Sequence, residues 1–277
     1  MLAVTVADDE VDLVSRLCWG AGIEGLEERP GDGGTTTLVV GTDRPDEVVA
    51  LLGSRWPVRA VHEDQDVWVE SWKPWARAVP VGDTVTIRPP WIARDERDGR
   101  IDLVIDPGRA WGHGAHPTTS MTAELMLATR LDGTAVLDVG CGSGVLAVVA
   151  ASGGARRVVG VDIDPEAVVA TRANAATNGV AALVEASTRP LADVEGRFDL
   201  VVANIGAATL AVLALQLDAH AADGARLLLS GLLEDQLAAT LAAFRGWSVV
   251  DGRDRDGWVA VSLGRDPQSS RSSRSGS

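Results

Sequence analysis

Apolar and polar positions change period several times along the chain, and the changes divide it. Residues 2–6 alternate as a half-buried strand does. Within residues 8–20, Val11, Val14, Leu17 and Cys18 fall at helical spacing. Residues 22–28 are strand-like, PGDGG at 30–34 is a turn, and 35–40 is a β-branched strand. Residues 43–53 return to helical spacing, and 57–62 are extended. The order β-α-β-β-α-β over residues 1–63 predicts a ferredoxin-like split pair.

Residues 64–94 read as a linker, acidic at first and then rich in tryptophan (Trp68, Trp72, Trp75, Trp91). Such a cluster predicts packing of one domain on another, with stacking on a ligand as the other reading. From residue 95 to 264 the pattern is that of a second domain. Strands are predicted at 101–105, 135–139, 158–161, 183–185, 199–203, 226–230, 247–250 and 258–263, most of them separated by helical stretches. That alternation predicts an α/β fold with a mostly parallel, doubly wound sheet. The last two strands have no helix between them and predict an antiparallel hairpin at a sheet edge. Residues 265–277 (RDPQSSRSSRSGS) are a low-complexity tail predicted to be disordered.

Composition narrows the function classes. Lys and Arg total 25 against 39 Asp and Glu, a formal charge of −14. A sequence-independent grip on nucleic acid needs a basic surface, so no direct nucleic-acid partner is expected. No apolar run reaches the length of a membrane span, and the start of the chain lacks a basic leader, so a cytoplasmic location and no membrane partner are expected. Cys18 and Cys141 give neither a disulfide framework nor a zinc spacing, and no metal site is expected.

The chemistry concentrates in residues 135–165, AVLDVGCGSGVLAVVAASGGARRVVGVDIDP. A buried strand runs into Gly140, Gly142 and Gly144, a helix follows, and a second strand ends on Asp162. Glycines at such a turn let a ligand lie against bare backbone at a helix start. Asp162 follows Gly140 by 22 residues, about where a carboxylate takes both hydroxyls of a ribose. The unit therefore predicts a nucleoside-containing cofactor. A dinucleotide turn wants its third glycine where Val145 stands. Here the turn is shorter and carries Asp138, which suits a cationic ligand better than a diphosphate.

Two further segments carry candidates. DPGRAWGHGAHPTT, residues 106–119, is a glycine-rich loop that opens a helix at Pro117, with Thr118 and Thr119 placed to cap it or to reach a ligand. VVANIG, residues 201–206, ends an apolar strand on Asn204. Open α/β sheets bind ligands at that end, where an asparagine can accept hydrogen bonds from an amine; capping the next helix is the other reading.

The turn D-x-G-x-G-x-G with its second-strand acid (Asp138, Gly140, Gly142, Gly144, Asp162) resembles that of class I S-adenosylmethionine methyltransferases. Joined with D-P-G-x-A-W-G-x-G-x-H-P-T-T, G-V-D-I-D-P, A-N-I and S-G-L-L, it is similar to the ribosomal protein L11 methyltransferase family over residues 68–233. The resemblance implies a class I methyltransferase fold: a seven-stranded sheet with a small N-terminal α+β domain that docks the ribosomal protein. It implies S-adenosylmethionine as cofactor, with Thr119, Gly140, Asp162 and Asn204 among its contacts and Asn204 facing the acceptor amine. It also implies a ribosomal protein substrate, met free before assembly and methylated on lysine or N-terminal amines. The chain departs from the family at Trp111, usually phenylalanine, and at His113 and Ala115, usually threonine.

Methyl transfer to an amine needs the amine neutral, which for lysine costs roughly 4–5 kcal/mol at neutral pH. No dedicated base stands out, and His113 and His116 are the candidate proton acceptors. Rival readings are a methyltransferase of the same fold acting on another protein or a small molecule, a nicotinamide-dependent oxidoreductase, and a non-catalytic cofactor-binding module.

Overall fold

Strand β1 (Leu2–Ala7) realises the first alternating segment, and a single 3-10 turn leads from it into helix α1 (Val11–Gly20). Strands β2 (Gly25–Pro30) and β3 (Thr35–Gly41), helix α2 (Pro45–Leu52) and strand β4 (Val58–Ala60) follow. The computed structural model describes residues 1–21, 23, 25–31, 33–42, 44–61, 76–97, 99–106, 108 and 116–265. The chain forms two compact units, Met1–Lys73 and Pro74–Ser277. In the first, the sheet order is β2-β3-β1-β4 with antiparallel neighbours throughout, the ferredoxin-like arrangement. Val4, Val14, Cys18, Leu38, Val40, Val48 and Leu52 form its core.

The second unit opens with β5 (Val79–Val81), β6 (Val85–Arg88) and β7 (Ile101–Val104), a small sheet in that order. Two of these strands lie in the stretch read from the sequence as linker. Val81, Val85 and Ile87 are buried in the main core of the second unit, so residues 79–88 belong to its fold. Arg88 and Asp102 face each other in a two-pronged ion pair, Nε–Oδ1 and Nη2–Oδ2 both 2.8 Å, with side chains 14% and 13% exposed. Of the tryptophan cluster, Trp68, Trp72 and Trp75 lie outside the described residues, as does the tail from 266.

Then come α3 (Pro117–Ala128), β8 (Ala135–Val139), α4 (Val145–Ser152), β9 (Arg157–Val161), α5 (Pro165–Thr177), β10 (Val184–Ser187), β11 (Phe198–Asn204), α6 (Ala207–His220), β12 (Ala221–Leu233), α7 (Glu234–Leu241), β13 (Trp247–Arg255) and β14 (Trp258–Arg265). The seven strands order as β10-β9-β8-β11-β12-β14-β13, with β14 antiparallel to both neighbours. The terminal hairpin closes the sheet edge, as the missing helix predicts. Val136, Val202 and Leu228 pack towards α3 and α4, while Leu137, Ala203 and Leu229 pack towards α6. Layers on both faces explain why these strands read as continuous apolar runs instead of alternating ones. The winding direction reverses at β8, between β9 and β11, which is where such sheets open a crevice beyond the strand ends.

Candidate active site

Strand register assembles the site. Val139 of β8 pairs with Val161 of β9 and with Ala203 of β11. The next residue on each strand is Gly140, Asp162 or Asn204, so three positions from distant parts of the chain emerge side by side at the carboxyl edge.

The glycine turn is a closed hydrogen-bonded structure. Gly140 and Cys141 donate their amides to Val161 O at 2.8 and 3.2 Å, and Gly144 donates to Cys141 O at 2.7 Å. Gly142 donates to Asp162 Oδ2 at 2.9 Å, and Val145 to Ser143 Oγ at 3.3 Å. A pyrophosphate site needs such amides pointing outward. Here they are already engaged inside the protein, and the charged partner within the turn is an acid. This is the physical basis for setting aside the dinucleotide reading.

Two of the glycines are required by the protein's own packing. Gly140 has φ +75° and faces Ile205 Cγ2, with no room for a Cβ. Gly144 has φ +78°, and a Cβ there would lie 2.7 Å from Thr171 Cα. Sequence reasoning gave these bare faces to a ligand; side chains from after β11 and from α5 fill them.

Asp162 accepts the Gly142 amide through Oδ2 and the Asp164 amide through Oδ1 at 3.0 Å. Both oxygens keep capacity for further donors, since a carboxylate offers about four lone-pair sites. Asp164 caps α5, its side chain accepting from Glu166 N at 2.9 Å. Between the two acids Ile163 is 97% exposed, an apolar side chain bare to solvent beside the site. Nothing in the D-I-D-P motif itself marks Ile163 as bare.

Asp138 is buried, and its Oδ2 has no hydrogen-bond partner. Burial pushes its carboxyl up to about 7, Asp162 nearby adds to the rise, and the Ala147 amide opposes it. Two carboxylates at one turn suit a cationic ligand.

Helix α3 supplies the remaining groups. His116 caps it: Nδ1 lies 3.3 Å from the Thr118 amide and 2.7 Å from Thr118 Oγ1, with Pro117 at the first helical position. The imidazole thus takes the capping place considered for a threonine hydroxyl. Its ring also meets Trp258 edge-on at 5.0 Å. Thr119 is buried, and Asn204 Nδ2 donates to its Oγ1 at 3.4 Å. Helix α6 begins instead at Gly206 without a side-chain cap, so Asn204 does not serve as its cap. Trp111, His113 and Ala115 lie outside the described residues.

Comparison with known proteins agrees with this geometry. The family model for ribosomal protein L11 methyltransferase (PrmA) matches residues 47–266. The ribosomal protein L11 methyltransferase of Citrifermentans bemidjiense is 42% identical over 213 residues, covering 75% of this chain and 69% of that protein. The enzyme of the same name from Sorangium cellulosum is 37% identical over 259 residues, covering 88% and 82%. The crystal structure of a ribosomal protein L11 methylase from Lactobacillus delbrueckii subsp. bulgaricus superposes with a TM-score of 0.62 at 32% identity, covering 68% of this chain and 98% of that one. Sheet order, closed glycine turn and these matches lead to one conclusion: the chain belongs to the ribosomal protein L11 methyltransferase family, enzymes that methylate protein using S-adenosylmethionine.

Proposed function

We propose that Thr119, Asp138, Gly140, Gly142, Gly144, Asp162 and Asn204 hold S-adenosylmethionine, and that the chain methylates lysine or N-terminal amines of ribosomal protein L11. The observation that carries this reading is the glycine turn whose amides are engaged internally while two acids, Asp138 and Asp162, stand at it. That chemistry fits a cation with a ribose and opposes a diphosphate.

Asp162 is the acceptor for the ribose hydroxyls, and exposed Ile163 offers an apolar surface to the base. The orphan Oδ2 of Asp138 is left to accept a hydrogen bond from the cationic end of the cofactor, which in turn favours the charged form of this carboxyl. When bound, the cofactor supplies a methyl group already activated by its sulfonium charge, so the protein's task is to position the amine. With Nδ2 of Asn204 turned to Thr119, Oδ1 is the acceptor that Asn204 presents to an amine. Exclusion of water lowers the amine's pKa by disfavouring its charged form. Of the two histidines His113 is kept as the group that takes the proton; the acceptor nitrogen of His116 is already engaged in capping α3.

Residues 1–63 dock the protein substrate in this reading, since they have a core of their own and every proposed cofactor residue lies after Asp106. The substrate is the free ribosomal protein, met in the cytoplasm before assembly. The test is incubation with radiolabelled S-adenosylmethionine and either purified free L11 or assembled large subunits. Label on free L11, mapped to amines, is the expected result. Label only on another protein in a methylation-free lysate overturns the substrate assignment.

A further inference from the structure

Helix α5 and its C-cap carry three polar side chains along one inner face: Thr171 and Asn174 in the helix and Asn178 at the cap, spaced three and four apart. Thr171 and Asn174 are fully buried. Thr171 Oγ1 donates to Gly142 O at 3.0 Å. Asn178 pairs with both backbone groups of Val104, accepting its amide at 2.8 Å and donating to its carbonyl at 2.7 Å. Asn174 does the same two residues on, accepting the Asp106 amide at 2.9 Å and donating to Asp106 O at 2.7 Å. Successive carboxamides thus pair with Val104 and Asp106 as an adjoining strand would, along β7 and its continuation.

Asn178, half-buried, gives its second Nδ2 bond to Asn174 O within the helix end at 2.8 Å; Asn174, fully buried, gives its own elsewhere. Its second Nδ2 hydrogen goes to Ser143 O, inside the glycine turn, at 2.8 Å. A single buried carboxamide therefore binds both Asp106, just past β7, and the turn that carries Gly140, Gly142 and Gly144. A buried amide is costly unless its hydrogen bonds are made, and Asn174 makes three. Alanine would satisfy helix packing at this position with better intrinsic propensity. The polar group is explained by its two partners and not by the helix.

We propose that Asn174 is a positioning residue for methyl transfer: by tying Ser143 to Asp106 it holds the glycine turn against the end of β7 before the cofactor arrives. The inference rests on the reading above, that the glycine turn is part of the cofactor site. Without the tie, only part of the population has the turn in its binding position, and apparent cofactor affinity falls by that fraction.

The experiment compares Asn174→Ala, Asn178→Ala and Asp162→Ala in the full chain. It measures melting temperature, KM for S-adenosylmethionine, Kd for S-adenosylhomocysteine, and kcat at saturating cofactor. Both asparagine variants should melt earlier. Asn174→Ala should raise cofactor KM and product Kd together by about tenfold while kcat at saturation stays within about threefold; Asn178→Ala should leave both constants within about twofold. The inference is overturned if Asn174→Ala leaves KM within about twofold, or if Asn178→Ala shifts it equally, which is what a merely structural role gives. If Asp162→Ala binds cofactor normally, the site reading itself has failed and this inference with it. Should Asn174→Ala not fold, amide exchange on the unaltered protein decides. The Asp106 amide should be protected without cofactor as well as Val104 is; exchange at the rate of unstructured chain until S-adenosylhomocysteine is added would overturn the inference.

Discussion

Asp162 Oδ2 accepts the amide of Gly142 at 2.9 Å, so the acid that ends β9 also fixes the turn that ends β8. Replacing Asp162 by alanine removes the proposed ribose acceptor and a turn anchor at once. Losing charge-assisted hydrogen bonds of this kind costs about 2–3 kcal/mol, or roughly 30- to 150-fold in cofactor affinity. Asp164→Ala is the comparison. It removes only a helix cap, worth about 1 kcal/mol, and should lower the melting temperature by about 2–4 °C with affinity within about threefold. Calorimetric titration of both variants checks the pair, and equal affinities in the two would contradict the assignment.

Asp138 gives a pH dependence of stability. Its carboxyl titrates near 3.8 in the unfolded chain and at about 7 when folded, because burial and Asp162 disfavour the charge. Between those values the folded protein holds the extra proton. The stabilisation from this group is therefore full below about pH 4 and is lost as pH rises through about 7, a change of order 4 kcal/mol. Asp138→Asn stays neutral throughout. Denaturant unfolding at pH 5 and pH 8 should find the variant gaining on the wild type as pH rises, and parallel stabilities at the two pH values would count against the raised pKa.

Thr119 and Asn204 meet across 85 residues of sequence, and the contact orients the Asn204 carboxamide. Asn204→Ala should lower kcat/KM for protein substrate by about a hundredfold, the scale on which a positioned polar group acts in a transition state. Thr119→Val should cost less and add little on top of Asn204→Ala. A double-mutant cycle on kcat/KM tests this, with full additivity as the outcome that separates the two residues.

Gly144→Ala sets a side chain against Thr171 at a backbone angle of +78°. Overpacking and left-handed strain should together remove about 2–4 kcal/mol of stability. Gly179→Ala has φ +72° but nothing within 4 Å of the new Cβ, so strain alone, about 1 kcal/mol, remains. Urea unfolding should separate the two variants, and equal losses would mean that the packing against Thr171 yields.

The second unit, Pro74–Ser277, contains every proposed cofactor residue and its own core. A protein starting at Pro74 should bind S-adenosylhomocysteine like the whole chain yet fail to methylate intact L11, because remote binding energy positions the amine. Binding and methylation measured on one folded sample check this. Methylation of L11 at the full rate would remove the docking role from the first unit.

Sequence periodicity by itself determined most of the strands and helices, the β-α-β-β-α-β order of the first unit, the parallel core of the second and its terminal hairpin; strands β5 and β6 it did not show. These are local properties: alternation, helical spacing and turn chemistry act within a few residues. The glycine turn and Asp162 were legible for the same reason, because one βαβ unit contains both. Tertiary structure alone decided the rest. Residues 79–88 look like linker beside four tryptophans, and only the burial of Val81, Val85 and Ile87 against the main sheet makes them part of the second unit. Ile205 and Thr171 fill the bare faces of Gly140 and Gly144, contacts that no local pattern encodes. Asn174 and Asn178 stand in an alanine-rich helix as unremarked polar residues until β7 is seen beside them. Asn204 keeps a helix-cap reading beside its site reading until β11 lies next to β8, which brings it to Thr119. Each of these depends on strand order, and strand order is set by which buried faces fit together across the whole domain.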